Sequence, residues 1–231
     1  MKRGLKVKIF RSGLLSSINQ LDHGFIYNFR DKDVPSNTLK NFSNIKTLKQ
    51  VHSSKVLFFD KHNLEKDEIE GDAMFTNIKN LCLGIYTADC VPIILYDPYS
   101  GVVCAIHAGW RGTRSEITKK AVKRIKEEFP SSGEDILAVT GPSIGRCCYE
   151  VDYDVASQFL DISEDYTPFI NERINGKFML DLQGINILQL KDSGVSKIES
   201  ANICTMCNTD FPSFRRDGSY TGRIFTYIGL V

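Results

Sequence analysis

Three apolar runs, each about the length of one β-strand, follow one another in the first half of the chain. They cover Leu81 to Tyr86, Val91 to Tyr96 and Val102 to Ile106, and turn-forming segments such as DPYSG separate them. Short apolar runs bounded by turn signals are typical of buried strands. The pattern predicts a central sheet with both of its faces covered.

The apolar pattern then changes to a helical period. Thr113 followed by Glu116 matches a capping box, which predicts a helix start at this point. The next apolar residues recur at spacings of three and four, which is typical of one buried helix face. They are Ile117, Ala121, Val122, Ile125 and Phe129.

The second half of the chain alternates between strand and helix patterns. A helix is predicted over Leu182 to Lys191, ending near Gly194. Further strands are predicted at Ile136 to Thr140, Ile198 to Ile203 and Arg223 to Leu230. The charged stretch Lys61 to Gly71 is predicted to be a surface loop. We therefore predict an α+β fold with α/β-like layers, in which residues 1–231 form one domain with a mixed β-sheet covered by helices.

Composition narrows the class of partner. The chain has 231 residues and a formal net charge of +1, which gives no broad field for nucleic acid or an anionic membrane. Seven cysteines at irregular spacing are typical of reduced thiols rather than of a secreted disulfide framework. The basic N-terminal residues precede no apolar leader segment. We expect a cytoplasmic protein that acts on a small molecule and has no nucleic-acid or membrane partner.

Polar residues able to bind a metal lie where apolar strands begin or end. They are His52 in QVHSSKV, Cys90 in YTADCVP and His107 in AIHAGWRGT. A catalytic zinc ion commonly takes three protein ligands from His, Cys and carboxylates and keeps a fourth position open. Two His and one Cys fit that description.

Two other interpretations of these residues stay open on the sequence alone. The spacings of 38 and 17 residues between them match no local zinc motif, and a His or Cys at a strand end is commonly only packed or hydrogen-bonded. Alternatively, Cys90 is a nucleophile and His107 its base, which requires only that these two side chains touch.

The residues after His107 predict a binding site for an anion. Gly109, Trp110, Arg111, Gly112 and Thr113 lead into the predicted helix, so backbone N–H groups and a guanidinium converge there. The alternative is a simple strand-to-helix turn with Arg111 on the surface. Asp72 in GDAMFT also has two interpretations. It is either a turn residue or a carboxylate that orients a ligand or moves a proton.

Two groups of residues near the C-terminus have weaker signals. Cys204 and Cys207 form a CxxC motif, but the remaining candidate pair, Cys147 and Cys148, is adjacent in sequence. Adjacent cysteines have poor geometry for one metal, so we predict that these four are core thiols, with a metal or redox role as the alternative. In FRRDGSYTGR, Arg215, Arg216 and Arg223 are candidate cations for a pocket, and the alternative is a solvated turn with Asp217 as partner.

Taken together, these segments resemble a known family. The motifs QVHSSKV, GDAMFT, TADCVPIILYDP, AIHAGWRGT, GPSIGRCCYEV and CTMCNTDFPSFRRDGSYTGR occur in the order typical of the polyphenol oxidase or laccase-domain proteins. The members of this family are also described as purine nucleoside phosphorylases and as peptidoglycan editing factors. The N-terminal part departs from the family pattern, because His23, Gly24 and Phe25 are followed by IYNFRDKDVPSN and the usual diglycine is missing.

The resemblance implies a metal site and a fold. It places His52, Cys90 and His107 at the three metal-binding positions of the family, with Zn²⁺ as the cofactor and Cu²⁺ able to replace it by exchange. It also implies a fold similar to the catalytic domain of cytotoxic necrotizing factor, where a Cys and a His carry the chemistry. That likeness keeps a cysteine hydrolase open as an alternative.

Three activities follow from the resemblance. A blue-copper oxidase needs about ten His, largely in His-x-His pairs, and this chain has four His. Zinc-dependent phosphorolysis of a purine nucleoside fits better, with adenosine, inosine, guanosine or methylthioadenosine as substrate, phosphate near Arg111, and adenosine deamination as a second activity. The alternative enzyme is a cell-wall precursor amide hydrolase that uses zinc and water or the Cys90–His107 pair. A non-catalytic scaffold would need a fourth protein ligand, which the sequence does not suggest.

Overall fold

A computed structural model describes residues 6–29, 38–64 and 69–231. The strands in these residues are β1 (Lys8–Phe10), β2 (Leu21–Tyr27), β3 (Asn44–Thr47), β4 (Val56–Phe58), β5 (Ala73–Thr76), β6 (Leu81–Thr87), β7 (Val91–Asp97), β8 (Val102–Ala108), β9 (Leu137–Thr140), β10 (Glu150–Val151), β11 (Ile170–Glu172), β12 (Phe178–Leu180), β13 (Lys197–Ser200) and β14 (Ile224–Leu230). The α-helices are α1 (Gly13–Ser16), α2 (Trp110–Arg114), α3 (Ile117–Glu128), α4 (Tyr153–Leu160), α5 (Leu182–Asp192) and α6 (Phe214–Asp217). Short 3-10 helices cover Gly133–Asp135, Glu164–Phe169 and Gly218–Tyr220.

Two mixed sheets form the body of the fold. One has six strands in the order β13-β9-β7-β8-β5-β4, and the other has five in the order β1-β2-β14-β6-β3. Parallel pairs occur at β13/β9, β4/β5 and β3/β6, and the other pairs of these two sheets are antiparallel. The predicted α+β class with mixed β-structure and helices is confirmed, and the structure divides the β-structure of the body into two sheets. An apolar run shows that both faces of a strand are buried, and does not show whether a helix or a second sheet covers each face.

Residues of alternating direction on β7 connect the layers. Ile93 and Leu95 belong to an apolar cluster with α3 and α5, whereas Ile94 and Tyr96 belong to a cluster with the five-stranded sheet. Successive strand residues point to opposite faces, so one strand supplies both clusters. Each of these side chains is at most 1% exposed, and burying one contributes roughly 1.5–3 kcal/mol relative to exposing it. The six-stranded sheet is therefore the middle layer, between the second sheet and the helices.

The strand and helix predictions of the second half are confirmed. α5 ends at Asp192, and Gly194 follows with a φ of +93°, a conformation that glycine adopts without strain. β9, β13 and β14 lie within one to three residues of their predicted bounds.

The capping box predicted from Thr113 and Glu116 was wrong. A separate short helix, α2, covers Trp110–Arg114, and Glu116 has a left-handed backbone with φ 57°. Its carboxylate accepts from Lys119 Nζ at 2.9 Å instead of capping α3. The Thr113 hydroxyl accepts from Asn186 Nδ2 of α5 at 2.9 Å. Both side chains thus serve tertiary contacts that a local motif does not reveal.

Two predicted segments fall partly outside the described residues. In the charged stretch Lys61 to Gly71, residues 61–64 form a turn and residues 65–68 are not described. The divergent segment after His23 continues β2 as far as Tyr27, and its residues 30–37 also lie outside the described part. Among the described residues, no helix has the length and apolar character needed to cross a membrane.

His23 is a buried titratable group on β2. Its side chain is 2% exposed, and its Nε2 accepts a hydrogen bond from the Ser12 backbone N–H at 3.1 Å. Burial lowers the pKa of His23 to about 4, and the nearby Arg11 charge adds to this effect. A neutral imidazole is required here because the Ser12 donor faces the ring nitrogen.

We expect this histidine to make the fold acid-sensitive. Above pH 6.5 His23 is neutral in both the folded and the unfolded chain, so its titration does not change the free energy of unfolding. Between pH 6.5 and about 4 the unfolded chain takes up the proton first, so the free energy of unfolding falls by about 1.4 kcal/mol per pH unit, to a total of roughly 3 kcal/mol. Urea unfolding of the wild type and of His23→Asn between pH 7.5 and 4 measures this loss of stability. The variant should show the shallower pH dependence, and equal slopes would contradict the expectation.

Candidate active site

Three neighbouring strands bring Asp72, Cys90 and His107 to one edge of the six-stranded sheet. In the antiparallel pair β7/β8, Pro92 lies opposite His107, so Cys90 enters just beyond that point. In the pair β5/β8, Ala73 lies opposite Ile106, and the His107 backbone N–H donates to the Asp72 carbonyl at 2.7 Å. Strand register therefore assembles residues that are 35 positions apart along the chain.

His52 reaches the same place from the loop between β3 and β4. Its backbone is left-handed with φ 58°, an uncommon conformation for a residue other than glycine. The Asp72 carboxylate holds this loop, because it accepts from the backbone N–H groups of Val51, His52 and Ser53 at 3.3, 3.0 and 2.6 Å. The Ser53 hydroxyl donates to the same carboxylate at 2.7 Å.

Asp72 also fixes the tautomer of His107. The Asp72 side chain is fully buried, and His107 Nδ1 donates to its carboxylate at 2.8 Å, which leaves Nε2 of His107 as the free acceptor. A carboxylate behind a ligating histidine is the usual way in which proteins orient such a ligand.

The three donor atoms match one tetrahedral metal ion. Cys90 Sγ lies 3.9 Å from His52 Nε2, and the ligand atoms of His52, Cys90 and His107 all lie within 4.8 Å of one another. Zinc with usual bond lengths places a sulfur and a nitrogen ligand about 3.6 Å apart. For the pair Cys90 and His52, a shift of a few tenths of an ångström gives this separation. His and Cys donors suit zinc, and three protein ligands leave one coordination position for substrate.

Without a metal, the same groups form an ion pair. Burial raises the pKa of the Cys90 thiol, but His107 and His52 outweigh this effect and lower it to about 6. Burial lowers the pKa of His107, but the hydrogen bond to Asp72 and the contact with Cys90 raise it to about 9. Cys90 is then a thiolate at neutral pH, which is the form that binds a metal or acts as a nucleophile.

Gly109 is required by the space around the donors. A Cβ atom at this position would lie 2.8 Å from His52 Cδ2 and 3.1 Å from Cys90 Sγ. Gly112 packs against the loop of His52, since a Cβ there would lie 3.0 Å from the Ser53 carbonyl oxygen. Of the predicted anion corner, Gly109, Gly112 and Thr113 are thus buried packing residues, and Arg111 is exposed.

Two cavities have His52 and Cys90 among their lining residues. The first has a volume of about 410 Å³ and the second about 310 Å³, and both are bounded by His52, Cys90 and Phe214. The other residues of the first cavity include Gln50, Tyr86, Thr87, His107 and Arg223. Those of the second include Asp89, Trp110, Arg111, Tyr149 and Arg215.

The predicted arginines separate into two groups. Arg111 and Arg215 line the second cavity and Arg223 lines the first, so all three candidate cations line cavities that also reach donor atoms. Arg216 instead donates to the carbonyls of Thr205 and Phe211 and forms an ion pair with Asp217 at 2.8 Å. The alternative of a turn partnered by Asp217 is therefore correct for Arg216.

Several residues of the site were not predicted. Ser53 follows His52 directly and holds Asp72, and Phe214 precedes the arginine pair and borders both cavities. Asp89 accepts from the Thr205 hydroxyl at 2.6 Å and from the Arg215 backbone N–H at 2.7 Å. For Ser53 and Asp89 the available signal was their position next to a candidate ligand.

The prediction of four core thiols was wrong. Cys147 and Cys207 are exposed, Cys148 and Cys204 are half-buried, and their sulfur atoms all lie within 4.8 Å of one another. Adjacent cysteines were expected to diverge. However, residues 146–148 form a tight turn, in which Cys148 N–H donates to the Gly145 carbonyl at 2.9 Å, and this turn brings both thiols to the CxxC loop.

Fold and site together define an α+β protein with a Cys/His₂ centre between two cavities. Residues 31–231 match the family model described as multi-copper polyphenol oxidoreductase laccase, and the chain belongs to this family. A relative from Clostridium acetobutylicum named purine nucleoside phosphorylase is 38% identical over 90% of this chain and 88% of its own length. A protein of an unknown prokaryotic organism named adenosine deaminase RL5 is 36% identical over 78% of this chain and 72% of its own length.

Solved structures agree with the fold. The hypothetical protein YfiH of Bacillus licheniformis aligns with a TM-score of 0.85 at 27% identity, covering 94% of this chain and 96% of that one. YlmD of Geobacillus stearothermophilus aligns with a TM-score of 0.81 at 25% identity, covering 100% of this chain and 97% of that one. The names of the relatives support an enzyme of the purine nucleoside phosphorylase type.

We expect Asp72→Asn to lower the affinity of the site for zinc by about 10- to 100-fold, the usual effect of removing the carboxylate behind a ligating histidine. The amide has one acceptor oxygen where the carboxylate has two, so the His52 loop and His107 cannot both be held. Competition with a chromophoric chelator measures the affinity. Asp97→Asn is the control, because Asp97 is 1% exposed and accepts from the backbone of Tyr99 and Ser100 at the other end of β7. An equal loss in both variants would contradict the assigned role.

Gly109→Ala should also weaken zinc binding, through crowding of the donor atoms rather than through their loss. The added methyl must displace the His52 ring or the Cys90 sulfur. Gly13→Ala is the control, since its Cβ would lie 3.8 Å from the nearest atom. Zinc affinity and urea unfolding are measured on both variants. Unchanged affinity in Gly109→Ala would show that the donors do not occupy this place when zinc is bound.

Proposed function

We propose that the chain is a zinc-dependent purine nucleoside phosphorylase that cleaves the N-glycosidic bond of adenosine, inosine, guanosine or methylthioadenosine with phosphate. The observation that carries the proposal is the pair of cavities that meet at His52, Cys90 and Phe214. Phosphorolysis joins two substrates, and each needs its own binding space on one side of the reacting bond. The names of the relatives support the same reaction class.

The second cavity suits phosphate. The Arg111 guanidinium lies 4.3 Å from the centre of the Trp110 ring, and that of Arg215 lies 5.2 Å from the centre of the Tyr149 ring. Contact with an aromatic face holds a guanidinium in place. Arg215 also donates from Nη1 to the Glu150 carbonyl at 2.8 Å, and its other N–H groups remain for an anion. Two arginines on one cavity supply charge-assisted hydrogen bonds to a phosphate.

The first cavity suits a nucleoside. It has a volume of about 410 Å³, and Tyr86 and Phe214 supply aromatic surface for a purine. Arg223 lies on the same wall and can donate to a polar group of the base or ribose. Together the cavities fall in the size range of small-molecule sites.

In the reaction, a phosphate oxygen forms a bond to the anomeric carbon of the ribose while the bond to the purine nitrogen breaks. The electron pair of that bond leaves with the purine, which takes up the proton that the attacking hydrogen phosphate loses. Zinc, when bound by His52, Cys90 and His107, supplies a Lewis acid for charge that develops in this step. Asp72 keeps the proton of His107 on Nδ1 and the His52 loop in place, so it acts as a positioning residue.

Deamination of adenosine is a second proposed activity of the same site. In this reaction a water molecule attacks C6 of the adenine ring and ammonia leaves, so C6 rather than the anomeric carbon of the ribose has to lie beside the donor atoms. The relative named adenosine deaminase supports this proposal.

One observation favours a different reaction class. Cys90 is a thiolate beside His107 in the metal-free protein, and such a pair can attack an amide. Hydrolysis of an amide in a cell-wall precursor is therefore the alternative. A copper-dependent polyphenol oxidation is a further alternative, because copper can replace zinc at a site with these donors.

The test is purine release from inosine and adenosine with and without phosphate. Enzyme reconstituted with zinc should release base in the presence of phosphate, and chelation or His107→Ala should abolish the release. Arg111→Ala should raise the KM for phosphate by about 10-fold or more, with a small change in the KM for inosine, since a charged hydrogen bond is worth about 1.5–3 kcal/mol.

Arg114→Ala is the matched control for Arg111→Ala. Arg114 is an exposed arginine of the same helix, α2, and should leave both KM values unchanged. Base release that persists in His107→Ala would identify a contaminating phosphorylase. Activity on an amide substrate that survives chelation and requires Cys90 would replace the phosphorylase proposal with the hydrolase.

A further inference from the structure

A second group of metal-binding side chains lies apart from His52, Cys90 and His107. It consists of Cys147 and Cys148 from the loop after β9, and Cys204 and Cys207 from the loop after β13. These strands are parallel neighbours in the six-stranded sheet, so the same end of the sheet carries both loops. The pairing continues into the loops, where Ser143 and Cys204 form a β-bridge. The fold thus brings together two cysteines from each of two loops that are joined by a β-bridge.

The distances between the sulfur atoms fit one metal ion. Cys207 Sγ lies 3.2 Å from Cys148 Sγ and 3.6 Å from Cys147 Sγ, and the four sulfurs all lie within 4.8 Å of one another. A tetrahedral zinc with four Zn–S bonds of 2.3 Å separates its sulfurs by about 3.8 Å. We propose that Cys147, Cys148, Cys204 and Cys207 bind one zinc ion as a closed structural site.

The surroundings of Cys204 support a thiolate ligand. The Gly145 backbone N–H donates to Cys204 Sγ at 3.2 Å. Amide donors of this kind are the common outer shell of metal-bound thiolates. Gly145 leaves room for the sulfurs, since a Cβ there would lie 3.3 Å from Cys147 Sγ and 3.4 Å from Cys204 Sγ.

A disulfide explains the group less well. Cys207 is near both Cys147 and Cys148, and one disulfide would use a single partner at about 2.05 Å and leave two thiols unpaired at the surface. Four thiolates also hold iron–sulfur clusters. Sulfurs within 4.8 Å of one another leave room for one ion rather than for several irons and sulfides.

The zinc ion would link two loops, one that lines the second cavity and one that contacts a residue of the same cavity. Ile144 and Tyr149, on either side of the cysteine pair, line the second cavity. Thr205, inside the CxxC motif, donates its hydroxyl to Asp89, the neighbour of Cys90. A link between the two loops therefore holds residues that reach the other centre. The four-ligand site itself has no coordination position left for substrate.

Zinc stoichiometry tests the proposal without reference to the enzyme reaction. In the Cys90→Ala/His107→Ala background, which lacks the first centre, protein purified without chelator should retain one zinc per chain by mass spectrometry of metals. Adding Cys207→Ser should remove that zinc, while adding Cys82→Ala, a buried thiol outside the group, should leave it. Cys207 is exposed, so its substitution removes a ligand and leaves the core intact.

Cobalt substitution is the second readout. Cobalt-loaded protein of the same background should show thiolate charge-transfer absorption that Cys207→Ser reduces and Cys207→His partly keeps, because histidine is also a ligand. Absence of zinc together with four alkylatable thiols, or a mass two hydrogens lower from a disulfide, would overturn the proposal. A single bound iron would overturn the assignment of zinc.

Discussion

The site depends on the hydrogen bonds that the Asp72 carboxylate accepts. This carboxylate is fully buried and accepts hydrogen bonds from three consecutive backbone N–H groups, from the Ser53 hydroxyl and from the His107 ring. A buried carboxylate requires such compensation, because a buried charge without hydrogen-bond donors carries the full cost of its desolvation. One side chain therefore holds the loop that presents His52 and the ring of His107 together, and neither ligand can move without leaving this charge unsatisfied.

The six-stranded sheet positions the other residues of the site. Asp72, Cys90 and His107 all lie at or next to the ends of strands buried on both faces, so their backbone positions are set by the register of β5, β7 and β8. Rigid elements position functional groups better than loops do. His52 lies in a loop rather than at the end of a strand. This loop donates most of the hydrogen bonds that the Asp72 carboxylate accepts.

Much of this arrangement could be predicted from the chain, for physical reasons that differ between elements. Ile93 to Tyr96 lie in an unbroken apolar run, which requires burial on both faces, so the middle sheet was predictable. The second sheet was not, since an apolar face gives no sign of what will cover it. Glu116 matched a helix cap, yet Lys119 offers it a better partner. The contact between Cys148 and Cys207 depends on a turn and on parallel strand pairing, and spacing along the sequence records neither.

The backbone of His52 distinguishes the two chemistries that the site could carry. A cysteine hydrolase needs Cys90 and His107 in contact, and Asp72 already orients His107 for that purpose. For such a hydrolase, His52 only adds to the effect of His107 on the pKa of Cys90, yet its backbone is held at φ 58°, a conformation that costs of order 1–3 kcal/mol for a residue other than glycine. A metal centre does use it, because without His52 only two donors converge and zinc is held loosely. Three hydrogen bonds from Asp72 to the backbone of residues 51–53 maintain this strained loop. A third donor held in this strained conformation favours a metal site over a nucleophile that needs only Cys90 and His107.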